Sequence, residues 1–166
     1  RHNLRAALDV MKGRVLKEQQ ESARRSLLAS LFLVVPVMST TFASMARLFG
    51  PLGREQLGWL LIDEAGQAVP QAAVGALWRA RRAIVIGDPL QIQPVVTTSP
   101  KLIRSIFSEF GVNTEEWAAP EMSAQTLADR VSWFGTDILT DDGDIWVGSP
   151  LRVHRRCENP MFKISN

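Results

Sequence analysis

The sequence is short of cysteine, of long apolar runs and of net charge, and each shortage narrows what the chain can be. Cys157 is the only cysteine, so no disulfide forms within the chain, and a reducing, cytoplasmic setting is expected. The longest apolar stretch, Leu27 to Met38, is interrupted by Ser30 and Pro36. A membrane span needs about 20 apolar residues, so none is expected. The chain opens on Arg1 rather than Met and shows no signal-peptide pattern, which predicts a piece of a longer protein. His2, His154 and Cys157 fall short of a metal-ligand set. A formal net charge of +2 argues against a strongly basic, nucleic-acid-coating protein.

What is present fits one globular unit. The chain has 166 residues, 46% apolar and 22% charged, enough for a real core. Its charge is unevenly placed. The net is +5 over residues 1–56, zero over 57–100, −6 over 101–148 and +3 over 149–166. Basic ends suit phosphates, although solvated helix faces account for the same residues.

Hydrophobic spacing predicts a helix over 3–29, where Leu4, Leu8, Met11 and Val15 recur at helical intervals. A strand is expected over 31–37, a helix over 44–49 and a loop over 50–53. Residues 57–62 and 83–86 read as strands buried on both faces, joined by a helix over 70–81 with Pro70 near its start. Further helices are expected over 101–110 and 123–133, a turn at 141–144 and a last strand over 145–147. The five tryptophans fit packing better than base stacking, since most lie in or beside apolar runs. Strand–helix–strand alternation predicts an α/β domain with a parallel sheet, whose ligands bind beyond the carboxyl ends of the strands.

Two clusters occupy such ends. Asp63-Glu64-Ala65-Gly66 follows the first buried strand, and Gly87-Asp88-Pro89-Leu90-Gln91 follows the second. A strand-end Asp can hold Mg²⁺, and a neighbouring Glu can deprotonate a water. Asp63 could equally cap the next helix, and Asp88 could simply form a turn. A βαβ crossover separates the clusters, so both would face one crevice.

These residues resemble motifs II and III of superfamily 1 helicases, in the branch that includes the nonsense-mediated-decay helicase and its bacterial relatives. Pro36 to Phe42 resembles the motif that precedes the Asp-Glu pair, and Leu151 to Cys157 resembles motif IV. The resemblance implies a parallel-sheet, RecA-like P-loop NTPase core, incomplete here. It divides the chain into a helical segment 1–29, a partial first lobe 30–150 and a motif IV segment 151–166 leading toward a second lobe. It implies ATP and Mg²⁺ as cofactors. Asp63 would bind the Mg²⁺, through water, and Glu64 would be the general base. Gln91 would sense the γ-phosphate, and Arg156 would be an arginine finger. Ser39, Thr40 and Thr41 would contact single-stranded nucleic acid, DNA in preference to RNA. The remaining partner would be the rest of a parent helicase chain, with no membrane involved.

Two departures qualify the resemblance. Arg155 stands where motif IV has an aromatic residue, and it competes with Arg156 for the finger role. No Gly-x-x-x-x-Gly-Lys-Ser/Thr occurs in the sequence, so this chain alone is expected to hydrolyse no ATP. An ATP-free nucleic-acid-binding remnant is the alternative. A signalling receiver domain fits less well, because Gln91 and arginines stand where such domains place a lysine.

Overall fold

The computed structural model describes residues 2–12, 14, 21–140 and 143–150. Its elements run α1 (His2–Met11), α2 (Glu21–Phe32), α3 (Phe42–Phe49), β1 (Leu57–Ile62), α4 (Pro70–Arg79) and β2 (Ala80–Val85). Then follow α5 (Pro100–Glu109), α6 (Thr114–Trp117), α7 (Ala124–Val131), β3 (Thr136–Thr140) and β4 (Gly143–Val147). A 3-10 turn over Ala65–Gln67 joins β1 to α4. Among the described residues no helix is long and apolar enough to cross a membrane.

β1 and β2 form a two-stranded parallel sheet in the register Leu61↔Ile84 and Ile62↔Val85, with α4 as the crossover. Pro70 at the first turn of α4 gives up an N–H that would have no helical partner anyway. Arg79 fastens the other end of α4. Its Nε donates to the carbonyls of Phe49 and Leu52, each at 3.1 Å, and its Nη1 donates to Gly75 O at 2.7 Å. β3 and β4 form a separate antiparallel hairpin, with Ile138 opposite Ile145. Three clusters make the core. Ala7 and Val10 of α1 meet Leu27 and Leu31 of α2. Leu28 of α2 meets Met45, Phe49, Leu52 and Ala76. Ile62, Ala65, Ala73 and Ala124 lie beneath the sheet's carboxyl end.

Several expectations change. The strand expected over 31–37 is absent. Leu27, Leu28 and Leu31 bury themselves at helical spacing, so α2 runs on to Phe32, and the Val34 and Val35 N–H groups close it on Leu31 O. Leu33 and Val37 are left 88% and 84% exposed. Apolar β-branched residues form a strand only beside a ladder partner, and no strand lies beside this segment among the described residues. The strands at 57–62 and 80–85 form, but they are not buried on both faces. Trp59, Leu61, Arg82 and Ile84 stand exposed on one of them. All five tryptophans are exposed rather than packed. Arg82 stacks over Trp59 at 5.3 Å, Arg79 over Trp78 at 5.2 Å and Arg130 over Trp117 at 5.0 Å. The 70–81 helix ends at Arg79, which places Arg81 and Arg82 in β2.

Candidate functional site

β1 delivers Asp63 and Glu64 at its carboxyl end, both exposed. Glu64 adopts a left-handed backbone conformation, φ 54° and ψ 39°. A residue with a side chain is strained there, at a cost of about 1–3 kcal/mol. The strain turns the chain sharply into the 3-10 turn. The Glu64 N–H donates to Asp63 Oδ1 at 3.1 Å. Gln67, three residues on, donates from Nε2 to Glu64 Oε2 at 3.2 Å. Asp63 Oδ2 and Glu64 Oε1 make no hydrogen bond among the described residues.

The second turn follows β2 and is zipped to the first. Ile86 N–H donates to Ile62 O at 2.8 Å, and Ala65 N–H donates to Ile86 O at 2.9 Å. Two glycines make this approach possible. A Cβ on Gly66 would stand 2.8 Å from Asp88 O, and one on Gly87 would stand 2.7 Å from Gly66 N. Asp88 closes the turn as an Asx turn does. Its Oδ1 accepts the Leu90 N–H at 2.9 Å and its Oδ2 accepts Gln91 Nε2 at 3.0 Å. The Gln91 carboxamide is therefore held by Asp88.

A groove of about 560 Å³ opens beside the first turn. Ser39, Thr40 and Thr41 line one side, and Asp63, Glu64 and Gln67 line the other. Thr41 takes the N-cap position of α3, yet its hydroxyl bonds no helix N–H. No lysine or arginine among the described residues lines the groove. The structure thus gathers five of the site residues expected from the sequence. Gln91 does not line this groove, and Arg156, like Arg155, lies outside the described residues.

Sequence reasoning missed the polar pair under the second turn. Gln125 and Asp129 of α7 are 6% and 5% exposed. A net charge of −6 over residues 101–148 suggests solvated surface, yet Asp129 within that stretch is buried. Ser123 caps α7 with reciprocal bonds to Thr126, which aims the first turn of the helix at the sheet. Gln125 Nε2 then donates to Asp129 Oδ1 and Oδ2 at 3.1 and 3.0 Å, and Gly148 N–H donates to Oδ1 at 3.0 Å. Gln125 Oε1 is buried without a partner among the described residues. Such an acceptor costs about 1–3 kcal/mol. A Gln and an Asp four apart on a helix was the available signal.

Asp63 and Glu64 suit Mg²⁺, which keeps most of its waters and takes one or two carboxylates. Among the described residues no group of three or more His, Cys, Asp or Glu could enclose a metal. The donor set therefore fits an ion held largely by water and phosphate.

Residues 3–99, more than half the chain, match the sequence model of the family described as the AAA domain. The match fits a superfamily 1 helicase-like domain and spans every proposed site residue except Arg156. No curated protein and no solved structure matches the chain significantly.

Proposed function

Because the chain belongs to the AAA-domain family, a family of helicase-like ATPases, we propose that it is part of an ATP-dependent motor on single-stranded nucleic acid. In this reading it is of the superfamily 1 type, in the branch of the nonsense-mediated-decay helicase, and DNA is the preferred strand. One observation carries it. Asp63 and Glu64, at a parallel strand's carboxyl end, share a groove with the hydroxyls of Ser39, Thr40 and Thr41. Carboxylates there suit phosphate chemistry, and hydroxyls beside them suit a phosphodiester backbone.

Mg²⁺ bound near Asp63 would neutralise charge on the β- and γ-phosphates. Glu64 takes the proton of the attacking water, whose oxygen bonds to the γ-phosphorus as the bond to the β,γ-bridging oxygen breaks. Gln67 occupies Glu64 Oε2, which leaves Oε1 to receive that proton. Gln91 senses the γ-phosphate in this scheme. Its carboxamide would have to leave Asp88 Oδ2 to do so. Arg156 supplies the finger.

A second reading, binding without hydrolysis, draws on the groove's lack of cationic side chains among the described residues and on the missing phosphate loop. Two measurements on the chain test both. Fluorescence anisotropy with an oligothymidylate should show salt-dependent binding, weakened in Thr41→Ala. Absence of binding at low salt sinks the strand contact in either reading. Broadening of the Asp63–Gln67 amide signals by Mn²⁺, lost in Asp63→Asn, supports the hydrolytic site. Unaltered signals refute it.

A further inference from the structure

The scheme above leaves Gln125 and Asp129 without a task. They sit beneath both turns, and they are an expensive choice for packing. A methionine would fill the space of Gln125 without an unpaired acceptor. The carboxamide therefore serves pairing.

Its orientation is fixed by chemistry. Asp129 only accepts, so the Gln125 amino group faces it and Oε1 points the other way. There Oε1 meets Gly87. The point where a Cβ of residue 87 would stand is 3.0 Å from Oε1, 2.7 Å from Gly66 N and 3.0 Å from Ala65 N. Ala65 N–H is already bonded to Ile86 O. Gly66 N–H makes no hydrogen bond among the described residues. A donor and an acceptor with no partner among the described residues thus lie within about 6 Å of each other, beside the side chain that Gly87 lacks. Oε1 has less than 1 Å² of accessible surface, so bulk solvent does not reach it. At its far end the same pair holds the hairpin. Asp129 accepts Gly148 N–H through Oδ1 and Trp146 Nε1–H through its carbonyl. Ala124 N–H, one residue before Gln125, donates to Ala68 O at 2.8 Å.

We propose that Gln125 is a positioning residue whose Oε1 accepts the Gly66 N–H when the Asp63–Gly66 turn closes on Gly87, joining both turns to the end of β4. The chain then continues from Gly148 toward Arg152, Arg155 and Arg156. Movement of the carboxylate turn is passed through Asp129 to the base of the segment that carries the arginines. The proposal rests on the reading that these turns handle phosphate.

Amide hydrogen exchange, followed residue by residue by NMR on the whole chain, tests it. In the wild type the Gly66 amide should be protected although no bond to it is made in the open arrangement. In Gln125→Met, Gly66, Leu90 and Gly148 should exchange at least roughly tenfold faster, while other amides and the melting temperature hold. Asp129→Leu, which leaves Gln125 no acceptor, should speed Gly66 as well, and it decides the matter if Gln125→Met does not fold. A change of less than about twofold at Gly66 in the folded variants, or a uniform rise over all amides, overturns the link. These readings need neither nucleotide nor nucleic acid. Loss of the link leaves the phosphate reading standing, and failure of strand binding leaves the link standing.

Discussion

Gly87→Ala is the sharpest test of how the two turns are joined. The residue's φ is not left-handed, so glycine is required there by close approach alone. An added Cβ would stand 2.7 Å from Gly66 N and 3.0 Å from Ala65 N, against an ordinary contact of 3.4 Å or more. The atoms it meets are backbone, and the Ala65 N–H to Ile86 O bond resists their moving apart from β2. Relief requires the turns to part by roughly 0.7 Å. Overpacking of this kind costs about 1–3 kcal/mol. If the Ala65–Ile86 hydrogen bond is lost as well, about 1 kcal/mol is added. The expected loss is therefore about 2–4 kcal/mol, a fall in melting temperature of roughly 5–15 °C for a chain of this size.

Thermal unfolding followed by circular dichroism reads this directly, and Gly75→Ala is the control. Gly75 lies inside α4, where a Cβ would meet only the end of the Arg79 side chain at 3.5 Å. Removing a helical glycine should stabilise the chain by about 0.5–1 kcal/mol. The two substitutions are thus expected to move the melting temperature in opposite directions. A Gly87→Ala protein that melts with the wild type, or both variants shifting the same way, would refute the close-approach reasoning.

Three further outcomes are expected. Leu28→Ala should lower stability by about 2–5 kcal/mol in urea unfolding, because Leu28 is wholly buried between α2, α3 and α4. Glu64→Gly should raise stability by about 1 kcal/mol in the same assay by relieving the left-handed backbone, while the Mn²⁺ effect that depends on Asp63 persists. The chain by itself should turn over no ATP in a phosphate-release assay. Mg²⁺-dependent turnover that disappears in Glu64→Gln would overturn that expectation.

The parts of the fold legible in the sequence are those that local chemistry decides. Leu57–Ile62 is a strand with the bounds expected, and Pro70 opens α4 as its fixed φ requires. The place of Asp63 and Glu64 follows from the end of the strand before them. Tertiary context decided the rest. Residues 31–37 have strand propensity, but Leu28 and Leu31 gain more by burial on a helix than Val34 and Val35 gain without a ladder. The apolar run of β1 signals a strand buried on both faces, and nothing local reveals that Trp59 and Leu61 lie open. Asp129 was hidden for the converse reason. Its acidic neighbours suggest surface, and only the fold shows that Gln125 and Gly148 satisfy its carboxylate. β3 escaped notice because Ile138 and Leu139 are too few apolar residues to set a period, and pairing with β4 makes the strand.

The charge of the groove sets what the chain can do without help. Asp63 and Glu64 are its only ionisable lining residues among those described. A triphosphate approaching them meets like charge, so nucleotide binding needs cations from elsewhere. Mg²⁺ supplies part, and the lysine of a phosphate loop, absent from this sequence, supplies the rest in proteins that have one. Hydroxyls at Ser39, Thr40 and Thr41 can offer hydrogen bonds to a phosphodiester, but its negative charge meets the same two carboxylates. If Ser39, Thr40 and Thr41 hold a strand as proposed, both sides of the groove need positive charge brought to them, because no lysine or arginine among the described residues lines it. Strand binding is expected in either reading, and the Mn²⁺ effect at Asp63–Gln67 is the measurement that separates them.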